Sequence, residues 1–242
     1  MSIGDYYLFL IALIVCALFS GWASMKVRST YSTFRSERSS SKMTGYDVAV
    51  RLLRANGVTG ISVNRVKGTL TDHYDPRKGV VNLSESVYGD DSVASIAVAA
   101  HEIGHVVQKE KGYLPYKIRT ALVPVANIGS RLAVPLVLFG VLLELFVTTA
   151  APGVGFNVAI VGVVAYALST LFTLVTLPVE LDASRRAKKM LIAEGILSDV
   201  ESYGAAKVLK AAAMTYVAAL ATSLVYFLRF FVWVLALFGR RD

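Results

Sequence analysis

Cysteine is nearly absent from this 242-residue chain; Cys16, inside an apolar run, is the only one. An intramolecular disulfide is excluded, and so are zinc sites built on thiolates. Cys16 itself reads as a small lipid-facing residue. Histidine is scarce as well, with only His73, His101 and His105. Any transition-metal site must draw on these imidazoles and on carboxylates. Charge is thin. Asp, Glu, Lys and Arg make up 17% of the residues against 55% hydrophobic, where a soluble domain carries about a quarter charged. The apolar residues also come in long runs, which points to an integral membrane protein. No nucleic-acid module and no aromatic–basic interleaving is present. The net charge of +8 is therefore assigned to loops beside anionic lipid, and no nucleic acid is expected as a partner.

What is abundant is apolar sequence in four stretches: residues 7–22, 131–147, 154–177 and 211–238. Each is about long enough to span a bilayer. The first reads as an uncleaved helix rather than a signal peptide, because only Asp5 is charged before it and the basic residues follow it. Arg229 interrupts the last run. A charge there costs about 2.5–3.5 kcal/mol on insertion scales, which predicts a helix that ends early with its remainder along the interface.

Between these runs the pattern changes. Residues 26–42 are Ser-rich and basic and read as a surface arm. Residues 44–57 form a short amphipathic helix closed by Gly57. Strands are expected at 61–66, 69–74 and 79–83, with a turn at 75–79. Asp90, Asp91 and Ser92 can cap a helix over 94–108 that stops near Gly112, and 184–210 is a polar helical stretch broken at Gly195. The organisation predicted is a first transmembrane helix (1–24), a cytoplasmic α+β portion (25–130), a transmembrane hairpin (131–177), a cytoplasmic helix (178–210) and a fourth transmembrane helix with the C-terminus (211–242). Lys and Arg crowd 26–38, 109–119 and 185–189, whereas the 148–155 turn has none. The positive-inside rule then puts 26–119 and 184–210 in the cytoplasm and the N-terminus outside. Arg240 and Arg241 at the C-terminus disagree with that assignment if the fourth helix spans fully.

Residues 101–105 read His-Glu-Ile-Gly-His. Four residues along an α-helix turn about 400°, so His101 and His105 project from one face, one turn apart. Two imidazoles so spaced can bind one zinc, and Glu102, about 100° round, can reach a water at an open coordination position. The preceding run Ser-Ile-Ala-Val-Ala-Ala suits a core helix, where an ionisable Glu between two His is costly without a purpose. No histidine follows His105, so a third ligand downstream must be Asp or Glu. Glu144 lies at the far end of the second span. Glu110, Glu194 and Glu201 sit in ordinary charged surface settings. Glu180, at the cytoplasmic exit of the third span, is the expected third ligand, with Asp182 as the alternative. His73 in Thr-Asp-His-Tyr-Asp-Pro-Arg reads as a solvated turn residue or as a donor to the transition-state oxyanion, and Tyr216 is a second candidate donor. The strand at 80–84 is a candidate edge for pairing with an extended substrate.

HEIGH after a capped apolar helix, TLTDHYDPRKGVVNLSESVY upstream, LPVELDASRRA downstream and TYVAA at 215–219 together resemble the bacterial membrane family of neutral zinc metallopeptidases. The resemblance covers nearly the whole chain. It extends distantly to heat-shock membrane zinc proteases and CAAX prenyl endoproteases. It implies His101, His105 and Glu180 as ligands and Glu102 as general base. Those families follow the ligand Glu four residues later with a supporting Asp, where this chain has Ser184.

The reading is a mostly α membrane protein, with about four transmembrane helices and a small cytoplasmic α+β zincin-like portion. It predicts a multi-pass protein of the cell membrane that hydrolyses peptide bonds with one Zn2+ per chain, acting on a peptide or membrane-protein substrate from the cytoplasmic face. Two rivals stand beside it. An intramembrane site-two-type protease needs the motif inside a span and a later Asn-Pro-Asp-Gly-like segment, which is missing. A non-catalytic scaffold stapled by zinc would show a closed four-ligand site.

Overall fold

The computed structural model describes residues 3–147 and 153–238. The charge-free turn at 148–152 and Arg240 and Arg241 lie outside the described residues. Seven helices and three strands follow in the order α1 (Ile3–Arg35), α2 (Gly45–Ala55), β1 (Ser62–Val66), β2 (His73–Asp75), β3 (Val80–Ser84), α3 (Glu85–Tyr88), α4 (Val93–Glu110), α5 (Leu114–Val147), α6 (Val154–Ala193) and α7 (Asp199–Phe238). Four of the helices, α1, α5, α6 and α7, are long and apolar enough to cross a membrane. This is a mostly α membrane protein with a small sheet.

The chain divides into two compact units. One comprises Met1–Gly21, Ile118–Leu177 and Tyr216–Asp242; the other comprises Trp22–Lys117 and Pro178–Thr215. In the first, small residues set the packing of α5 on α6. A Cβ on Gly129 would stand 2.6 Å from the Ala165 carbonyl oxygen, and one on Gly140 would stand 2.5 Å from the Ala159 nitrogen. Backbones approach this closely only where no side chain intervenes, the usual way helices associate without a hydrophobic driving force. Glu144 lies here, buried in α5. The helix expected to stop at Arg229 does not stop. α7 runs unbroken to Phe238, and the Arg229 guanidinium lies 4.8 Å over the ring of Phe9, a cation–π contact that offsets part of the cost of the charge.

The second unit is built round α4. Ser92 caps it, accepting from the Ser95 amide at 3.2 Å, and 14 of its 18 residues are buried. The small side chains of Ser95, Ala97, Ala99 and Ala100 let neighbouring elements close on it from several sides. Val48 and Leu52 of α2, Val81 and Leu83 of β3, Leu191 of α6 and Val208 of α7 share one core with Ile96, Ile103 and Val106. α2 is held by a capping box between Thr44 and Asp47. The stretch expected as a surface linker or arm is part helix and is anchored. α1 continues to Arg35, and the Ser39 and Val93 amides donate to the Asp91 and Glu37 carbonyls at 2.9 Å each. Arg38 pairs with Asp90 and Asp91.

The sheet has the order β1-β3-β2, with β1 parallel and β2 antiparallel to β3. β3 is therefore the central strand, with both edges taken, and is not the open edge expected at 80–84. The strand expected over 69–74 shrinks to His73–Asp75. Leu70, with φ 56°, holds a turn beside Gly68, and a left-handed residue cannot continue an extended strand. The turn after β2 is fastened by Asp75 Oδ1, which accepts from the Arg77 amide at 2.9 Å. Gly195, at φ 58°, ends α6, so 184–210 is split between the end of α6 and the start of α7.

Candidate metal centre

His101 and His105 face the same way from α4, as their spacing requires, with ring centroids 4.8 Å apart. The carboxylate of Glu180, from α6, meets both. Its Oε2 lies 3.2 Å from His101 Nε2 and 3.4 Å from His105 Nε2. One ligand atom from each of the three residues falls within 4.8 Å of the others. The distances fit a metal. With zinc–ligand bonds of about 2.0–2.1 Å, the edge of a tetrahedron is about 3.3–3.4 Å. The donor set, two imidazoles and one carboxylate, is a zinc set that leaves the fourth position open. Glu180 is 2% exposed, and a carboxylate this deep requires a cation or donors around it. Among the described residues no fourth His, Cys, Asp or Glu joins the group.

The two imidazoles are held from behind. His105 Nδ1–H donates to Gln108 Oε1 at 3.0 Å, and Gln108 Nε2 donates to the Val179 carbonyl at 2.8 Å and to Asp182 Oδ2 at 2.9 Å. His101 Nδ1–H donates to Ser184 Oγ at 3.2 Å. With Nδ1 protonated in both rings, Nε2 carries the lone pair that faces Glu180, and such partners fix tautomer and orientation in metal sites. Asp182, the alternative ligand, is not in the metal group. It accepts from Gln108 and from Arg186 and braces the Gln. Ser184 occupies the place where the families that the sequence resembles carry a supporting Asp, and its hydroxyl meets His101.

The close approach of α4 and α6 that makes this possible depends on Gly104. A Cβ there would lie 2.6 Å from the Ala183 carbonyl oxygen and 3.2 Å from its Cα. The x-Gly of HEIGH is thus the residue that brings Glu180 down onto the histidines.

Glu102 is buried one residue along from His101. Its pKa is pushed up to about 7, chiefly by burial, with the Glu180 and Asp72 carboxylates adding to the effect and His101 and His73 opposing it. Its protonation equilibrium therefore lies near neutrality in the metal-free chain, the range in which proton transfer is most useful. Asp72 was not singled out in the sequence. Its carboxylate accepts from the amide and hydroxyl of Ser84 at 2.7 and 3.0 Å.

His73 lies in β2 and is exposed. Its Nδ1–H donates to the Thr71 carbonyl at 2.9 Å, which leaves Nε2 to accept from Asn82 Nδ2 at 3.0 Å. Both ring nitrogens are engaged. Tyr216 belongs to the other unit.

A family profile described as "Putative neutral zinc metallopeptidase" matches residues 9–235. The chain belongs to this family. The metallopeptidase match spans both units, including every residue of the metal group. A protein named "Putative membrane protease YugP" from Bacillus subtilis (strain 168) is 41% identical over 223 residues, which cover 92% of this chain and 95% of the relative. No solved structure is significantly similar to this metallopeptidase-family chain.

Proposed function

We propose that the chain is a zinc-dependent endopeptidase of the cell membrane that cleaves peptide or membrane-protein substrates at the cytoplasmic face, with one zinc held by His101, His105 and Glu180. The observation that carries this reading is the buried Glu180 carboxylate set 3.2 and 3.4 Å from two imidazole Nε2 atoms, with a second buried carboxyl, Glu102, next to it in α4. Zinc at this site would supply a Lewis acid that brings the pKa of a water toward about 7. Glu102 takes the proton of the attacking water and passes it to the leaving amine as the C–N bond breaks. Gln108 and Ser184 keep the imidazoles oriented. The candidate donors to the oxyanion of the tetrahedral intermediate are His73 and, after it, Tyr216.

The cytoplasmic placement is supported by the concentration of Lys and Arg in 26–38, 109–119 and 185–189. The scaffold reading is disfavoured by a donor set of three, since structural zinc sites are closed by four protein ligands. The purified protein should carry one equivalent of zinc and cleave an unfolded membrane-protein or peptide substrate. Chelation should stop cleavage and zinc should restore it. Cleavage that persists in metal-free protein would overturn the reading, and zinc-loaded protein inert toward a broad substrate panel would favour the scaffold.

A further inference from the structure

Two candidate membrane helices, α1 and α7, enclose a groove that the proposed peptidase chemistry does not use. It has a volume of about 510 Å³ and lies between α1 and α7 within the second unit. On α1, Trp22, Lys26, Ser29 and Thr33 line it; on α7, Lys207, Lys210 and Met214 do. The spacings 22, 26, 29, 33 and 207, 210, 214 each trace one helix face. At the narrow end Phe34 packs on Gly204, whose Cβ would fall 2.7 Å from the ring, so the two helices are in van der Waals contact there.

The chemistry of the lining is graded. Three ammonium groups, all exposed, meet the three hydroxyls of Ser29, Thr30 and Thr33 and then Trp22 and Met214. Among the described residues none of the three lysines is in an ion pair; Lys207 instead lies 4.3 Å over the Tyr203 ring. A carboxylate one turn away would stabilise a lysine on a helix surface. Here the lining holds no Asp or Glu at all. The groove also lies where the apolar runs of both helices give way to polar sequence, with a Trp at the level that aromatic side chains take at a membrane surface. Trp22 is 47% exposed.

We propose that this groove is a binding site for an anionic phospholipid. The phosphate diester lies among Lys26, Lys207 and Lys210, the hydroxyls of Ser29 and Thr33 meet the headgroup, and the acyl chains leave past Trp22 and Met214. Charge complementarity selects the anionic class, and the Trp–Met exit selects a lipid over a soluble phosphate. Each lysine contributes about fivefold in affinity, the equivalent of about 1 kcal/mol for a basic residue near an anionic bilayer.

The test uses the full chain with Trp233→Phe, which leaves Trp22 as the sole tryptophan. The protein is reconstituted in vesicles of phosphatidylcholine with a minor fraction of phosphatidylglycerol, with brominated chains on one lipid at a time. Trp22 should be quenched several-fold more by brominated phosphatidylglycerol than by brominated phosphatidylcholine at equal fraction. Changing Lys26, Lys207 and Lys210 together to Gln should remove the preference; changing all three to Arg should keep it. Zinc content reports that the Gln variant is folded. Equal quenching by the two lipids in the parent, or an unchanged preference in a zinc-loaded Gln variant, would overturn the proposal. Loss of the preference on adding inorganic phosphate alone would also overturn it, by showing a site for free anions.

Discussion

Gly104→Ala is a one-carbon perturbation aimed at the spacing of the metal site. The added Cβ would stand 2.6 Å from the Ala183 carbonyl oxygen, 3.1 Å from its carbon and 3.2 Å from Cα. All three contacts are backbone, so no rotamer change relieves them. Ordinary contact begins at about 3.4 Å or more, so α6 must retreat by somewhat under 1 Å beside Ala183. Glu180 sits three residues earlier on α6, within one turn, and retreats with it. Overpacking of this kind costs about 1–3 kcal/mol. If the loss falls on the metal-bound state, zinc affinity drops about 5- to 150-fold, since 1.4 kcal/mol is tenfold. Competition with a chromogenic chelator measures the affinity, and thermal melting of the metal-free protein measures the packing cost separately. Gly89→Ala is the control, because a Cβ at Gly89 meets nothing within 4 Å and its φ of −104° suits any residue. Parent-like zinc affinity and melting temperature in Gly104→Ala would refute the claim that this glycine sets the distance between Glu180 and the histidines.

Gln108→Met keeps the volume but removes the acceptor for His105 Nδ1–H and the donor to Val179; zinc affinity should fall about 10–100-fold, as read by chelator competition. Asp90 carries a pKa below the ordinary value: burial opposes this, but donation from Ser92, Ser95 and Arg38 outweighs it. Its contribution to stability is thus present above the unfolded pKa of about 3.9 and is lost as pH falls below it. Asp90→Asn should lower the melting temperature at pH 7 and flatten its decline on acidification below pH 4. For topology, a cysteine at the exposed Ser40, in a chain with Cys16 replaced by Ala, should react with an impermeant thiol reagent only after the cells are opened.

Local contacts are legible in the sequence, and contacts between distant segments are not. The pairing of His101 with His105 is a matter of helical period, and it stands as the spacing requires. Glu180 was reachable by elimination and by resemblance, because a carboxylate had to return to the same side of the membrane. Gln108 was not reached, although it lies three residues beyond His105 on the same face; its meaning comes only from Val179 and Asp182, more than 70 residues away. The helix ends were misjudged for a physical reason. Hydropathy reports where a segment can meet lipid, whereas the hydrogen-bond ladder continues beyond it. α5 therefore begins at Leu114 rather than 131, and α1 reaches Arg35 rather than 22. Pro124 and Pro178 lie inside helices, which membrane-type helices tolerate where neighbouring groups re-satisfy the freed carbonyls. The central place of β3 in the sheet depends on a parallel pairing with β1, which no local signal encodes.

The central claim is that two buried carboxyls at one metal hold different jobs, and a paired substitution tests it most directly. Glu102 is outside the ligand group, so Glu102→Gln should keep one equivalent of zinc and the parent's melting temperature. It removes the proposed general base, and a positioned base is worth about 10²–10⁴-fold in rate. Glu180→Gln removes the charge set 3.2 and 3.4 Å from the two imidazoles, so its zinc affinity should fall. Zinc content and cleavage of one unfolded membrane substrate are measured on both proteins side by side. Zinc-loaded and inactive Glu102→Gln beside zinc-poor Glu180→Gln is the predicted result. Full cleavage by zinc-loaded Glu102→Gln, or zinc loss in Glu102→Gln with none in Glu180→Gln, would contradict it.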